Sequence, residues 1–290
     1  MLNLFYKIIV RFFACTLLFS ISSPSFGDDI SPKKIITIGG PVTEIVFALG
    51  EGAKVIATDT TSKFPQQTFT LPKVGYMRQL SVEGLLSLGP DHIIALEGSG
   101  PTHVLEAIKN TGVQVTLIPE LVNPERIEQG INLISILFNP SSSNSKLGTE
   151  VKEQLEEQLK SAETRTVRPS VLFLLNTGHG NLMTAGKDTA IDTIIRYTGA
   201  INSAADLKGF KPLSTEYMIS HSPDYVLLSQ RTLDQAGGIS QLQSDPVLGQ
   251  LNAVKESRIL TIDGTLLLGL GPRTPKAIQE LTAELLKPAL

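Results

Sequence analysis

Few side chains in this sequence stand where catalysis would need them. The only cysteine, Cys15, lies in an N-terminal stretch that reads as an export signal, so the mature chain carries no thiol nucleophile and no disulfide. The four histidines, His92, His103, His179 and His221, include no pair at the helical spacing of a metal site. His92 opens an expected strand and His221 closes an expected helix, so both read as structural. His103 follows Gly98-Ser99-Gly100, and His179 lies in Asn176-Thr177-Gly178-His179-Gly180 after an expected strand. The glycine loop could offer backbone N–H groups to an anion, but it lacks the Lys-Ser/Thr of a P-loop and the third glycine of a dinucleotide fingerprint. We read it as a loop at a ligand cleft.

Tyr76 and Arg78 belong to Val74-Gly75-Tyr76-Met77-Arg78-Gln79-Leu80, a loop just before an expected helix. Glycine ahead of the tyrosine lets the backbone turn the ring outward. Taken alone, the pair reads more simply as a half-buried tyrosine beside a solvated arginine. Arg231 and Arg273 are further permanent cations near expected loop ends, and Arg273, next to Pro275 at the start of the last helix, also suits a tie between segments.

These side chains need a scaffold, and the pattern for one is clear. Lys34 to Ile38 is a β-branched run ending in Gly39-Gly40, followed by Val42 to Leu49 at helical spacing with a stop at Gly50. Strands are expected at Val55 to Ala57, His92 to Leu96 and Val113 to Ile118, and helices at Val82 to Leu88 and Thr102 to Asn110. The same alternation restarts with strand Val171 to Leu175, helix Thr189 to Tyr197, and strands Tyr225 to Ser229 and Arg258 to Ile262. Strands alternating with helices predict mostly parallel sheets.

The second half echoes the first. Leu80-Ser81-Val82-Glu83 matches Leu213-Ser214-Thr215-Glu216, and Pro90-Asp91-His92 matches Pro223-Asp224-Tyr225, both at an offset of 133 residues. Each copy places a serine cap, a first-turn glutamate, a Pro-Asp turn and a strand in one register. A glutamate in the first helical turn is worth about 0.3–1 kcal/mol against the helix dipole. Lys146 to Thr164, with Val151, Leu155 and Leu159 four residues apart, predicts one long amphipathic helix between the halves.

The fold class expected is therefore α/β: two similar lobes with mostly parallel sheets joined by one long helix. The boundaries are 1–27 for a signal peptide, 28–142 for the N-terminal lobe, 143–166 for the linker helix and 167–290 for the C-terminal lobe. The signal reading rests on Lys7 and Arg11 before the apolar run Phe12 to Ile21, with small residues at Ser25 and Gly27. That run is about half the length of a membrane-spanning helix, so the chain is expected in the periplasm. Without the signal, 23 basic residues face 28 acidic ones, and no nucleic-acid partner is indicated.

Four segments carry a family resemblance: Gly75-Tyr76-Met77-Arg78-Gln79-Leu80-Ser81-Val82-Glu83, Ala185-Gly186-Lys187-Asp188-Thr189-Ala190, Arg231-Thr232-Leu233-Asp234-Gln235-Ala236-Gly237-Gly238 and Leu267-Leu268-Gly269-Leu270-Gly271-Pro272-Arg273-Thr274-Pro275. Together they resemble the periplasmic haem-binding proteins of bacterial haem ABC importers, a class III, helical-backbone binding-protein family. The resemblance implies capture of haem b as a transported ligand rather than a catalytic cofactor, with no enzymatic turnover. It makes Tyr76 the axial ligand of ferric iron and His179 a candidate for a second ligand or a second haem, as in some members, against an exposed loop histidine, as in others. Arg78, Arg231 and Arg273 become candidates for the propionates or for supporting the tyrosinate. Glu83 and Glu216 become the contacts to an ABC permease dimer, with an outer-membrane haem receptor system upstream and a monomeric state.

The chemistry suits that role. Free tyrosine has a pKa of about 10, but ferric iron favours the phenolate, and a neighbouring guanidinium stabilises it. The nearest alternative is the same scaffold holding a ferric siderophore or a cobalamin. A different class would be an exported hydrolase built on Ser or Asp residues, which requires a nucleophile beside a base, or a partner-binding protein without a deep cleft.

Overall fold

The computed structural model describes residues 31–141, 145–176, 182–267 and 269–287. The expected signal segment and His179 lie outside the described residues. Ser31–Leu290 forms one compact unit.

The first sheet contains β1 (Ile35–Ile38), β2 (Val55–Thr58), β3 (His92–Leu96) and β4 (Gln114–Ile118), all parallel, in the order β2-β1-β3-β4. The second contains β5 (Ser170–Phe173), β8 (Ile201–Asn202), β10 (Tyr225–Ser229) and β11 (Ile259–Ile262), again parallel, in the order β11-β10-β5-β8. A small antiparallel sheet of β6 (Leu175–Asn176), β7 (Leu182–Ala185) and β9 (Phe210–Pro212) accompanies the second one. The sequence pattern does not predict it, because two- to four-residue strands leave almost no periodic signal.

Strand side chains sort by alternation onto two faces. In the first sheet Ile35 and Ile94 join the central core, while Ile36, Ile38, Ile93 and Ala95 join an outer one with Leu85, Val104 and Ile108. In the second, Val171, Phe173 and Leu227 join the same central core, while Leu172, Leu174, Val226 and Leu228 face an outer core with Met218 and Leu242. The central strands β1, β3, β5 and β10 are thus covered on both faces, which explains why they read as mostly apolar runs, whereas the edge strand β4 keeps Gln114 and Leu117 exposed.

Helices α1 (Gly40–Ala48), α2 (Val82–Leu86) and α3 (Thr102–Lys109) belong to the first sheet's crossovers. Between the sheets run α4 (Pro124–Phe138) and the expected long helix α5 (Lys146–Glu163). Helix α4 is an addition to the sequence reading, although its signals are present: Asn123 accepts a cap bond from Arg126 N, Pro124 opens the first turn, and Ile127, Ile131 and Ile134 are buried. The pair packs closely, since a Cβ on Gly148 of α5 would lie 3.1 Å from Asn132 Oδ1 of α4, and Lys152 pairs with Glu128 at 3.1 Å. After β5 come α6 (Ala190–Tyr197), α7 (Thr215–His221), α8 (Gln230–Gln235), short helical turns and α9 (Thr274–Leu285).

The internal echo has a physical basis. Ser81 and Ser214 each accept from the helix N–H three residues on, at 3.1 and 3.2 Å. Asp91 Oδ2 accepts from Lys33 N and Lys34 N ahead of β1, and Asp224 Oδ2 from Ser170 N and Oγ at the start of β5. Each Pro-Asp turn therefore clasps the beginning of the neighbouring strand in its sheet.

Candidate functional site

Tyr76 sits on a loop fastened from two sides. Residues 72–75 run beside the end of β2, with Thr58 N donating to Pro72 O, Val74 N to Thr58 O and Thr60 N to Gly75 O at 2.9–3.0 Å. On the other side, Gly100 N donates to Met77 O at 2.8 Å and Leu80 N to Gly100 O at 2.9 Å. Gly75 has φ +100°, a conformation that disfavours a side chain, and the next residue turns outward. Tyr76 is 42 % exposed, so its ring is not a core side chain. Arg78 is exposed on the same turn, which Gln79 N closes onto Tyr76 O at 2.8 Å.

The neighbouring Gly98-Ser99-Gly100 loop uses its amides internally. Ser99 N donates to Leu96 O and Gly100 N to Met77 O, so neither is offered to an anion. This loop shapes the Tyr76 turn. His103 is exposed beyond it. His92 is buried against Thr116 Oγ1 at 2.8 Å, and burial pushes its pKa down.

Arg231 stands exposed in the first turn of α8, directly after the carboxyl end of β10, where Ser229 caps Thr232 N at 3.0 Å. In parallel α/β sheets, ligand clefts open beyond the carboxyl ends of the strands.

Arg273 is differently placed. Its N and Nε donate to Glu44 Oε1 and Oε2 at 2.8 and 2.9 Å, its Nη2 reaches Thr265 Oγ1 at 3.3 Å, and its guanidinium lies 3.5 Å from the centre of the Phe64 ring. Asp263 adds a longer contact at 3.8 Å. Burial raises the Glu44 carboxyl above its usual range, with Arg273 pulling the other way. Sequence reasoning missed Glu44; the available signal was a lone acid inside the apolar run Val42 to Leu49, which requires a partner when buried.

Glu83 and Glu216 are both exposed, each in the first turn of a serine-capped helix. Its own backbone N–H and the Ser214 hydroxyl hold the Glu216 carboxyl below its usual range. Beside it, Tyr217 donates to Asp206 and to Ser203 O, and stacks on His221 at 3.9 Å, fixing α7 to the preceding loop. Burial, then Asp206, raises the Tyr217 hydroxyl pKa.

A groove of about 490 Å3 between α5 and α9 includes Gln154, Gln158, Tyr197 and Lys276 in its lining and none of the candidate residues. Among the described residues no group of three His, Cys, Asp or Glu side chains is arranged to hold a metal ion, and no helix is long and apolar enough to cross a membrane.

The family model described as periplasmic binding protein matches residues 35–266. Among solved structures, the periplasmic heme-binding protein RhuT from Roseiflexus sp. RS-1 is similar at 35 % identity and TM-score 0.81, covering 87 % of this chain and 97 % of that one. Among curated relatives, the uncharacterized ABC transporter substrate-binding lipoprotein YvrC of Bacillus subtilis is 26 % identical over 86 % of this chain and 79 % of its own length. The vitamin B12-binding protein of Vibrio cholerae is 21 % identical over 94 % of this chain and 96 % of its own.

Proposed function

Because the chain belongs to the periplasmic binding protein family, a family of solute carriers rather than enzymes, we propose that its ligand is ferric haem, held through Tyr76. The coarser role is that of a substrate-binding protein serving an ABC transporter. The observation that carries the finer reading is the exposed Tyr76 ring on a doubly fastened turn, in a chain 35 % identical to a heme-binding protein along nearly all of that protein's length.

Haem lies in this reading between lobes spanning 28–142 and 167–290, with 143–166 joining them. The Tyr76 oxygen binds iron as phenolate, and Arg78 and Arg231, both exposed, pair with propionates as bidentate donors. Arg273 serves as a tie to Glu44, where its strongest hydrogen bonds already lie. Glu83 and Glu216 meet cationic pockets on the two permease subunits, guiding orientation more than adding affinity. Export through residues 1–27 delivers the chain to the periplasm. Titration to saturation with and without His179→Ala decides whether His179 supplies a second ligand, serves a second haem or takes no part.

The test is a titration of the purified mature chain with ferric haem, read by visible absorbance, with cyanocobalamin as comparator. The reading requires saturable binding of haem, weakened at least about tenfold by Tyr76→Ala, and no competition from cobalamin. Saturation by cobalamin alone would favour the function named for the V. cholerae relative.

A further inference from the structure

The segment that carries Tyr76 leads back to a buried polar cluster around Asp59, the first residue after β2. Asp59 is fully buried. Its Oδ1 accepts from Gly39 N at 2.9 Å and Ser62 Oγ at 2.6 Å, and its Oδ2 from Thr61 N at 2.9 Å and Thr61 Oγ1 at 2.5 Å. Since Ser62 gives its proton to the carboxyl, it accepts from Thr43, 2.7 Å away, whose hydroxyl also points a longer 3.3 Å contact at Gly39 O, and Thr43 in turn accepts from Thr37, also at 2.7 Å. Thr37, Thr43 and Ser62 are all fully buried. One acceptor-only side chain thus orders a row of hydroxyls running from β1 through α1 to the 59–62 turn.

That turn is tied by its backbone to the segment leading into Tyr76. The hydrogen bonds between residues 58–60 and 72–75 end at Thr60 N to Gly75 O, the residue before the tyrosine. Lys73 locks the same rungs from the side, its Nζ donating to Thr58 Oγ1 at 2.6 Å, Thr68 O at 2.9 Å and Ser62 O at 3.2 Å. No other side chain in this network accepts from both the β1–α1 junction and the 59–62 turn. A buried carboxyl is tolerated only where such donors converge on it.

We propose that Asp59 is the positioning residue for Tyr76, acting through the Thr60–Gly75 rung to hold the ring where it can meet the ligand. The proposal rests on the reading of Tyr76 as the haem-iron ligand. A metal–phenolate bond is directional, so a loop that visits the competent geometry a tenth of the time binds about ten times more weakly.

The experiment compares wild type with Asp59→Asn and Ser62→Ala. Asparagine puts a donor where the cluster supplies only donors; alanine at 62 removes one hydroxyl and leaves the carboxyl. Amide exchange on the ligand-free proteins should speed up about tenfold or more in peptides covering 72–80 while those covering 225–229 keep the wild-type rate, and haem affinity should fall about tenfold. Unchanged exchange over 72–80 in both variants, or faster exchange with unaltered haem affinity, overturns the proposal. If Asp59→Asn does not fold, Ser62→Ala carries the same comparison. If wild type itself fails to bind haem, the functional reading falls, and the exchange result alone decides whether Asp59 holds this turn.

Discussion

Arg273, at the start of the last helix, meets Glu44 of the first helix through two hydrogen bonds of 2.8 and 2.9 Å, although 229 residues separate them in the chain. The contact joins the elements of the two parallel sheets near their carboxyl ends. Beside it Gly269 packs hard against the Pro41 ring, where an added Cβ would fall 2.2 Å from Pro41 Cγ, and Gly271 lies in ordinary contact with the Glu44 carboxyl, at 3.5 Å from an added Cβ to Oε1. Phe64 covers the guanidinium from the first-sheet side.

Removing one partner of this mostly buried pair leaves the other uncompensated. Arg273→Ala is expected to cost about 2–3 kcal/mol, below the upper range for fully buried pairs because the arginine keeps some solvent contact. The pH dependence has a definite sign. Burial raises the folded-state pKa of Glu44 above its ordinary 4.5, so the folded protein retains a proton there that the unfolded chain has released. This group's contribution to stability is therefore complete below the ordinary value and declines as pH rises through the folded value. Urea unfolding at a series of pH values should show that decline in wild type and lose that part of the slope in Glu44→Gln.

Gly269 should tolerate no side chain. Gly269→Ala would drive a methyl into the ring of Pro41, and overpacking of this kind costs about 1–3 kcal/mol. Thermal unfolding of the variant reads the effect directly, and an unchanged midpoint would mean the two segments can separate without loss.

Glu83 and Glu216 can be tested apart from ligand capture. Both are exposed, in capped helical turns, so Glu83→Arg and Glu216→Arg should leave haem affinity within about twofold of wild type while slowing importer-dependent uptake by about tenfold or more. Uptake at the wild-type rate in the double variant would place the docking contact elsewhere.

Much of the scaffold was legible in the sequence because it depends on local rules. Strands β3 and β10 fall at the expected bounds, and the Ser81 and Ser214 caps do what serine before a helix does. The exposure of Tyr76 was half legible, since Gly75 signals a left-handed turn but not which side of the sheet it serves. The reach of Asp91 and Asp224 into neighbouring strands, the burial of Asp59 and the Glu44–Arg273 contact were not legible. Each joins residues distant in the chain, so only tertiary packing brings donor and acceptor together. Arg273 shows the consequence: the sequence offered it as a ligand contact or a tie, and its hydrogen bonds favour the tie.

An iron–phenolate bond from Tyr76 leaves its own spectroscopic mark, which resonance Raman spectroscopy of the ferric haem complex reads. Excitation in the phenolate-to-iron charge-transfer band should enhance tyrosinate vibrations in wild type and lose them in Tyr76→Phe. A wild-type complex without those vibrations, or a Tyr76→Phe complex that keeps them, would mean that Tyr76 is not the iron ligand.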